Sequence, residues 1–230
     1  MKKISALAGV CAVAAGLLLA GCGAKAGTKS EPAASTETSS SQTSSTETSG
    51  SAAPAAVHKT IADYVAENKI IETAIKQGDP GPPSFQFPMP PGWRPAGNQR
   101  PEWAYGAIVY EKAQDPADPP FMTAIISRLS GNVDAAKILE YAPGLLQNLP
   151  GYEQDGEVQK STLSGFEAIQ FQGSYQRENT RRYIAQKTAV IPEKDGSLVV
   201  LQLNADAPIG QDDVILEAAK VINAETKITA

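Results

Sequence analysis

Residues 57–230 predict an α+β fold, an antiparallel β-sheet flanked by helices on both faces. Three observations predict it. Helical periodicity marks the start, the middle and the end of this stretch, with strand-like runs between, an order that packs separate helices on one sheet. Asp195-Gly196 between the last two strand runs is a hairpin signal, so sequential strands pair antiparallel. The runs Trp103–Lys112 and Phe121–Leu129 carry apolar residues at both odd and even positions, whereas a half-solvated strand alternates cleanly. Both faces of the sheet are therefore expected to be covered.

Taken in order, Thr60 is placed to cap a helix, with Asp63 three positions on and Ile61, Tyr64 and Val65 as its apolar stripe. The Pro- and Gly-dense stretch Gly78–Pro101 follows. Within it Phe85-Gln86-Phe87 alternates as a short strand, and Pro88, Pro90 and Pro91 hold the chain extended before Gly92-Trp93. The next two strands are joined by the polar loop Asp115–Pro120. A helical run covers Asn132–Leu149 with Leu139, Ala142, Leu146 and Leu149 on one stripe. Pro143 must kink or divide it, since proline cannot donate to the carbonyl four residues back. Strands are expected near 157–161, 166–175, 181–191 and 198–205, with Ser164-Gly165 as a turn. The last helix spans about 211–224, with Asp212 and Asp213 favouring the dipole of its first turn and Val214, Ala218, Val221 and Ile222 as its stripe.

Residues 1–21 read as an export signal: Lys2 and Lys3, then an apolar run to Leu19 that is too short to span a bilayer comfortably. Leu19-Ala20-Gly21-Cys22 resembles the lipobox of bacterial lipoproteins, which implies cleavage before Cys22 and a diacylglycerol on its thiol. The expected location is the extracytoplasmic face of the cell membrane, held there by acyl chains that each contribute about 0.8 kcal/mol per buried methylene. Cys11 leaves with the signal, so no disulfide is expected. Residues 22–56 are rich in Ser and Thr and poor in large apolar residues, the composition of a disordered tether. A flexible coil of that length has a root-mean-square span of about 30–35 Å. It reads equally as a bare spacer and as an O-glycosylated tract.

Four motifs recur in order along the domain: Thr60-Ile61-Ala62-Asp63-Tyr64, Gly78-Asp79-Pro80-Gly81-Pro82-Pro83, Pro90-Pro91-Gly92-Trp93 and Asn148-Leu149-Pro150-Gly151-Tyr152. Together they resemble the mycobacterial LpqN/LpqT-type lipoproteins over residues 57–230. The resemblance implies a fold like that of Mog1 and PsbP and an accessory or binding role in the cell envelope. It brings no catalytic motif onto positions of this chain.

Charge and residue types narrow the function further. The precursor carries a net charge of −5, which argues against nucleic acid. His58 is the one histidine and lies at the junction of tether and domain, where it reads as a solvated linker residue rather than a catalytic base. No cofactor is expected, and no metal: one histidine without a usable cysteine does not make a zinc site, and the Asp115/Asp118 loop lacks calcium-loop spacing. No catalytic residue is assigned. A carboxylate-only hydrolase using Glu102, Glu111, Glu153 or Glu157 stays open as the lesser alternative.

Two groups are candidates for binding. The aromatics Phe85, Phe87, Trp93, Trp103, Tyr105 and Tyr110 are interleaved with prolines, and stiffened aromatics offer apolar contact at low entropic cost. They read either as a ligand groove under the Trp93 segment or as core. Arg177, Arg181 and Arg182 lie at a hairpin tip, either as a bidentate anion receiver or as a solvated turn. The expectation is a monomeric, non-enzymatic lipoprotein. It would bind an envelope lipid, glycolipid or membrane transporter; the alternative is a scaffold that docks a transporter or wall enzyme.

Overall fold

The computed structural model describes residues 57–81 and 83–229. The export signal, Cys22 and the tether lie outside the described residues. Helix α1 (Ile61–Glu67) starts at a reciprocal cap: the Asp63 amide donates to Thr60 Oγ1 at 3.1 Å and the Thr60 amide to Asp63 Oδ2 at 2.9 Å. Then come β1 (Ile71–Ala74), β2 (Ser84–Gln86), β3 (Trp93–Pro95), β4 (Gly106–Tyr110) and β5 (Phe121–Ser130). Pro143 divides the predicted middle helix, giving α2 (Ala135–Tyr141) and the single turn α3 (Gly144–Gln147). The meander follows as β6 (Glu153–Leu163), β7 (Phe166–Arg177), β8 (Thr180–Pro192) and β9 (Leu198–Pro208), then α4 (Asp212–Glu225) and β10 (Lys227–Thr229).

The main sheet is antiparallel and has eight strands, in the order β3-β4-β5-β9-β8-β7-β6. Strand β5 shares its outer edge between two partners: β4 pairs with Phe121–Ala124 and β1 with Ser127–Ser130. Leu163 faces Phe166 across Ser164 and Gly165, which both have positive φ (52° and 84°), the mirror-type turn that suits strand twist. The Asp195-Gly196 hairpin forms too, with a longer loop, since Pro192 pairs with Leu198.

Each face has its own core, as the mixed parity of the strands predicts. One face packs Ile169, Phe171, Val190, Val200 and Leu129 against α1, α2 and α3 through Tyr64, Ile138 and Leu146. The opposite face carries Ile126, Ala189, Ile191, Val199 and Leu201 under a ribbon of β2 and β10, where Phe85 and Ile228 pack down. Farther along the same face α4 lies on Met122, Tyr183, Ala205 and Ala207. Its buried stripe is Ile215, Ala218 and Ile222, so the predicted stripe is corrected at two positions: Val214 only flanks the core, and Val221 is half-buried outside it. The strand predicted from Trp103 begins only at Gly106, because Trp103 and Ala104 belong to the preceding turn.

Candidate functional site

The face under α4 does not close. A cavity of about 520 Å³ lies on one side of the helix, under the segment Phe85–Met89, and a second of about 540 Å³ lies on the other, over β6–β8. Met122, Leu203 and Ile222 line both, so one apolar wall stands between the two cavities. The opening has a local cause. Where the two clefts form, the sheet contributes residues with little side-chain volume: Gly106 and Ala124 in the first, Gly156, Ala185 and Ala205 in the second. A Cβ added at Gly106 would meet nothing within 4 Å. Each volume falls in the range of small-molecule sites.

The two cavities differ in chemistry. In the first, Phe85 and Phe87 stack at 6.1 Å, and Tyr105 meets both edge-on at 5.8 and 6.2 Å. Pro88, Met89 and Ile108 complete a mostly apolar lining. The second is polar on its sheet side, with Gln159, Gln170, Gln172, Tyr183 and Lys187, and mixed on its helix side, where Ile215, Leu216 and Ala219 alternate with Asp213, Glu217 and Lys220. Tyr183 donates to Gln172 Oε1 at 2.9 Å. Lys187 is buried and donates to Ser161 Oγ at 3.0 Å and the Thr162 carbonyl at 3.2 Å, and burial pushes its ammonium below the usual lysine range.

Of the six aromatics, the structure brings Phe85, Phe87 and Tyr105 together on the first cavity. Trp93 and Tyr110 pack on each other at 5.6 Å in the core under α4, so the groove lies beneath the Phe85–Met89 segment and not beneath Trp93. Trp103 is 56% exposed and lines neither cavity. Among the four glutamates, Glu157 lines the second cavity and Glu102, Glu111 and Glu153 line neither. His58 stands exposed at the domain entry, and Ser164 Oγ accepts from the Ile228 amide at 2.9 Å. Among the described residues no group of three or more His, Cys, Asp or Glu is placed to hold a metal.

The three arginines expected at the hairpin tip each pair with a carboxylate of the chain itself. Strand parity turns Arg182 inward, to 1% exposure, where it forks onto Asp206 (Nε to Oδ1, 2.7 Å) and pairs with Asp118. Arg177 reaches the same two carboxylates, at 2.7 Å from Asp118 and 3.8 Å from Asp206. Arg181, on the opposite parity, is held by Ser174 and Glu153. Arg182 is thereby buried among its partners, while Arg177 keeps an exposed side chain beside its Asp118 contact. Burial pushes the Asp118 carboxyl up, but the hydrogen bonds and charges of Arg177 and Arg182 outweigh it and hold the carboxyl below the usual range.

Tyr175 completes this cluster, donating to Asp206 Oδ2 at 2.6 Å. Burial first, then the Asp206 hydrogen bond and charge, pushes its phenol up to about 12. Burial, with Asp212 and Asp155, pushes Tyr183 up to about 12 as well. Both protons are held more tightly in the folded chain than in the unfolded one, where phenols ionise near pH 10. The contribution of these two phenols to stability is therefore expected to be level below pH ~10 and to be lost as pH rises from there through about 12. Alkaline unfolding followed by circular dichroism should show a shallower fall for Tyr183→Phe, and an equal slope would remove Tyr183 as a cause.

The sequence reading missed Met122, Leu203, Ile222 and Lys187. One signal was available for the lysine: Tyr183, Ala185, Lys187, Ala189 and Ile191 share one face of β8, and a charge in the middle of such a row is anomalous.

Comparison with known proteins agrees with this architecture. The profile of a family described as Probable lipoprotein LpqN matches residues 57–229. Lipoprotein LpqN of Mycobacterium tuberculosis is 46% identical over 226 residues, covering 96% of this chain and 97% of that protein. A crystal structure described as that of LpqN involved in cell envelope biogenesis of Mycobacterium tuberculosis superposes with a TM-score of 0.71 at 46% identity. It covers 75% of this chain and 99% of the solved one.

Proposed function

This chain belongs to the family of LpqN lipoproteins, and from that premise we propose that it is a membrane-anchored envelope protein whose domain binds a long-chain lipid or glycolipid without transforming it. Anchoring rests on the Leu19-Ala20-Gly21-Cys22 motif. Among the described residues no helix is long and apolar enough to cross a membrane. The observation that carries the binding role is the pair of neighbouring cavities that share the wall Met122, Leu203 and Ile222, the first mostly apolar and the second more polar. An acyl chain needs apolar length and a head group needs hydrogen-bond partners, and the two cavities supply one each. The exposed His58 and the engaged Ser164 hydroxyl support the absence of nucleophilic chemistry.

The test is organic extraction of the full chain, purified in mild detergent from a mycolate-producing host, with mass spectrometry of the non-covalent lipid. A near-stoichiometric long-chain lipid is expected. Gly106→Leu should lower it severalfold at unchanged thermal stability, because the new side chain grows into the open first cavity. A lipid-free chain would sink this reading in favour of the protein-docking scaffold.

A further inference from the structure

The second cavity contains a charge without a counter-charge. Lys187 is 8% exposed on the cavity floor, and its contacts are two neutral oxygens, Ser161 Oγ and the Thr162 carbonyl. None of the ion pairs among the described residues includes it. The carboxylates that line the same cavity, Asp155, Glu157, Asp213 and Glu217, are all exposed at its mouth. Two of them have partners there: Asp155 accepts from Gln172 at 2.8 Å, and Glu217 pairs with Lys220. An ammonium has three N–H donors, and two are used here. A buried charge held only by neutral acceptors is costly, so an anion arriving beside this ammonium would gain a partner that the fold itself does not supply. The flanking Gln159 and Gln170, joined by a hydrogen bond from Gln170 Nε2 to Gln159 Oε1 at 3.1 Å, keep further amide N–H groups for the same incoming group.

We propose that Lys187 receives the anionic head, a carboxylate or phosphate, of a single-chain amphiphile whose tail passes the Met122–Leu203–Ile222 wall into the Phe85–Phe87–Tyr105 cavity. This rests on the lipid-binding reading above and names the head-group chemistry within it. Burial holding the Lys187 ammonium below its usual range agrees with the missing counter-charge, since a bound anion would reverse that effect.

The experiment compares full-length wild type with Lys187→Met, which keeps the length of the side chain and removes the charge. Binding of palmitate, hexadecyl phosphate and hexadecanol is measured below their micellar concentrations by calorimetry. Wild type should bind at least one of the two anionic chains about tenfold or more tighter than the alcohol, the equivalent of one charge-assisted contact. In Lys187→Met that preference should vanish while hexadecanol affinity stays the same, which also reports an intact cleft. Which anion gains more distinguishes a carboxylate site from a phosphate site. Equal binding of anionic and neutral chains by wild type, or an undiminished preference in the variant, overturns the role of Lys187 alone. Failure of all three chains to bind overturns the lipid-binding reading with it.

Discussion

Replacing Arg182 by alanine is expected to destabilise the domain by roughly 3–5 kcal/mol, a large part of the total stability of an ordinary domain. The guanidinium is buried, forks onto Asp206 and reaches Asp118, so its removal leaves Asp206 as a part-buried carboxylate with Arg177 at 3.8 Å as its nearest cation. It also releases the Asp115–Pro120 loop, which Arg177 alone would then hold at Asp118. Chemical denaturation of wild type, Arg182→Ala and the double variant Arg182→Met/Asp206→Leu separates the causes. The double variant should recover part of the loss, because an apolar pair of similar volume substitutes for a buried ion pair, while the Tyr175 hydroxyl, left without its Asp206 acceptor, sets the remainder. A single variant within ~1 kcal/mol of wild type would show that the two carboxylates re-solvate freely, and the cluster would then count as a surface feature.

The second large effect is at Gly144, where two opposing rules can be separated. Helix propensity alone says that Gly144→Ala in α3 should gain up to about 1 kcal/mol. Packing says the opposite. The added Cβ would overlap the Lys59 carbonyl oxygen, approach its carbon at 2.7 Å and lie 3.3 Å from Thr60 Cα, and backbone atoms cannot swing aside as a side chain tip can. The expected net result is a loss of about 2–3 kcal/mol. Asn148 provides a reference at the same contact: its side chain accepts from the His58 amide at 2.8 Å and donates to the His58 carbonyl at 2.7 Å. Asn148→Ala should cost only about 1–2 kcal/mol, because the freed groups are exposed to water. Thermal denaturation that ranks Gly144→Ala milder than Asn148→Ala would mean that the Val57–Thr60 segment peels away easily. The helix cap at Thr60 would then have to tolerate that movement.

Several elements were legible because their determinants are local. The Thr60/Asp63 cap, the Ser164-Gly165 turn and the division at Pro143 each depend on a few adjacent residues, and all three occur as the chain implies. The mixed parity of the runs Trp103–Lys112 and Phe121–Leu129 foretold two covered faces, since each face must have its own apolar partner. What escaped was edge structure. Ile71–Ala74 carries no buried side chain, so periodicity has nothing to register, yet β5 hydrogen-bonds it as β1. Strand β6 extends four residues beyond its predicted start, with a register shift between Asp155 and Gln159, because its side chains are nearly all exposed and backbone pairing alone holds it. The final helix stripe was displaced at its start, since Val214 and Ile215 are equally apolar and only the angle of α4 on the sheet decides which points inward.

The candidate site divides in the same way. The sequence by itself determined the Leu19-Ala20-Gly21-Cys22 motif, the two-faced α+β architecture and the concentration of aromatics before β4, all written in composition and short-range spacing. Tertiary structure alone decided which aromatics line a cavity and which are core, because Phe85 and Trp93 have the same local signal and differ only in what lies beneath them. It alone separated Arg182 from Arg181, adjacent in sequence and on opposite faces of one strand. It also made the cleft itself, which is a deficit of volume summed over Gly106, Ala124, Ala185 and Ala205 on four strands. A missing side chain leaves no periodic mark in a sequence; it becomes a cavity only when the neighbouring strands and α4 bring the gaps together.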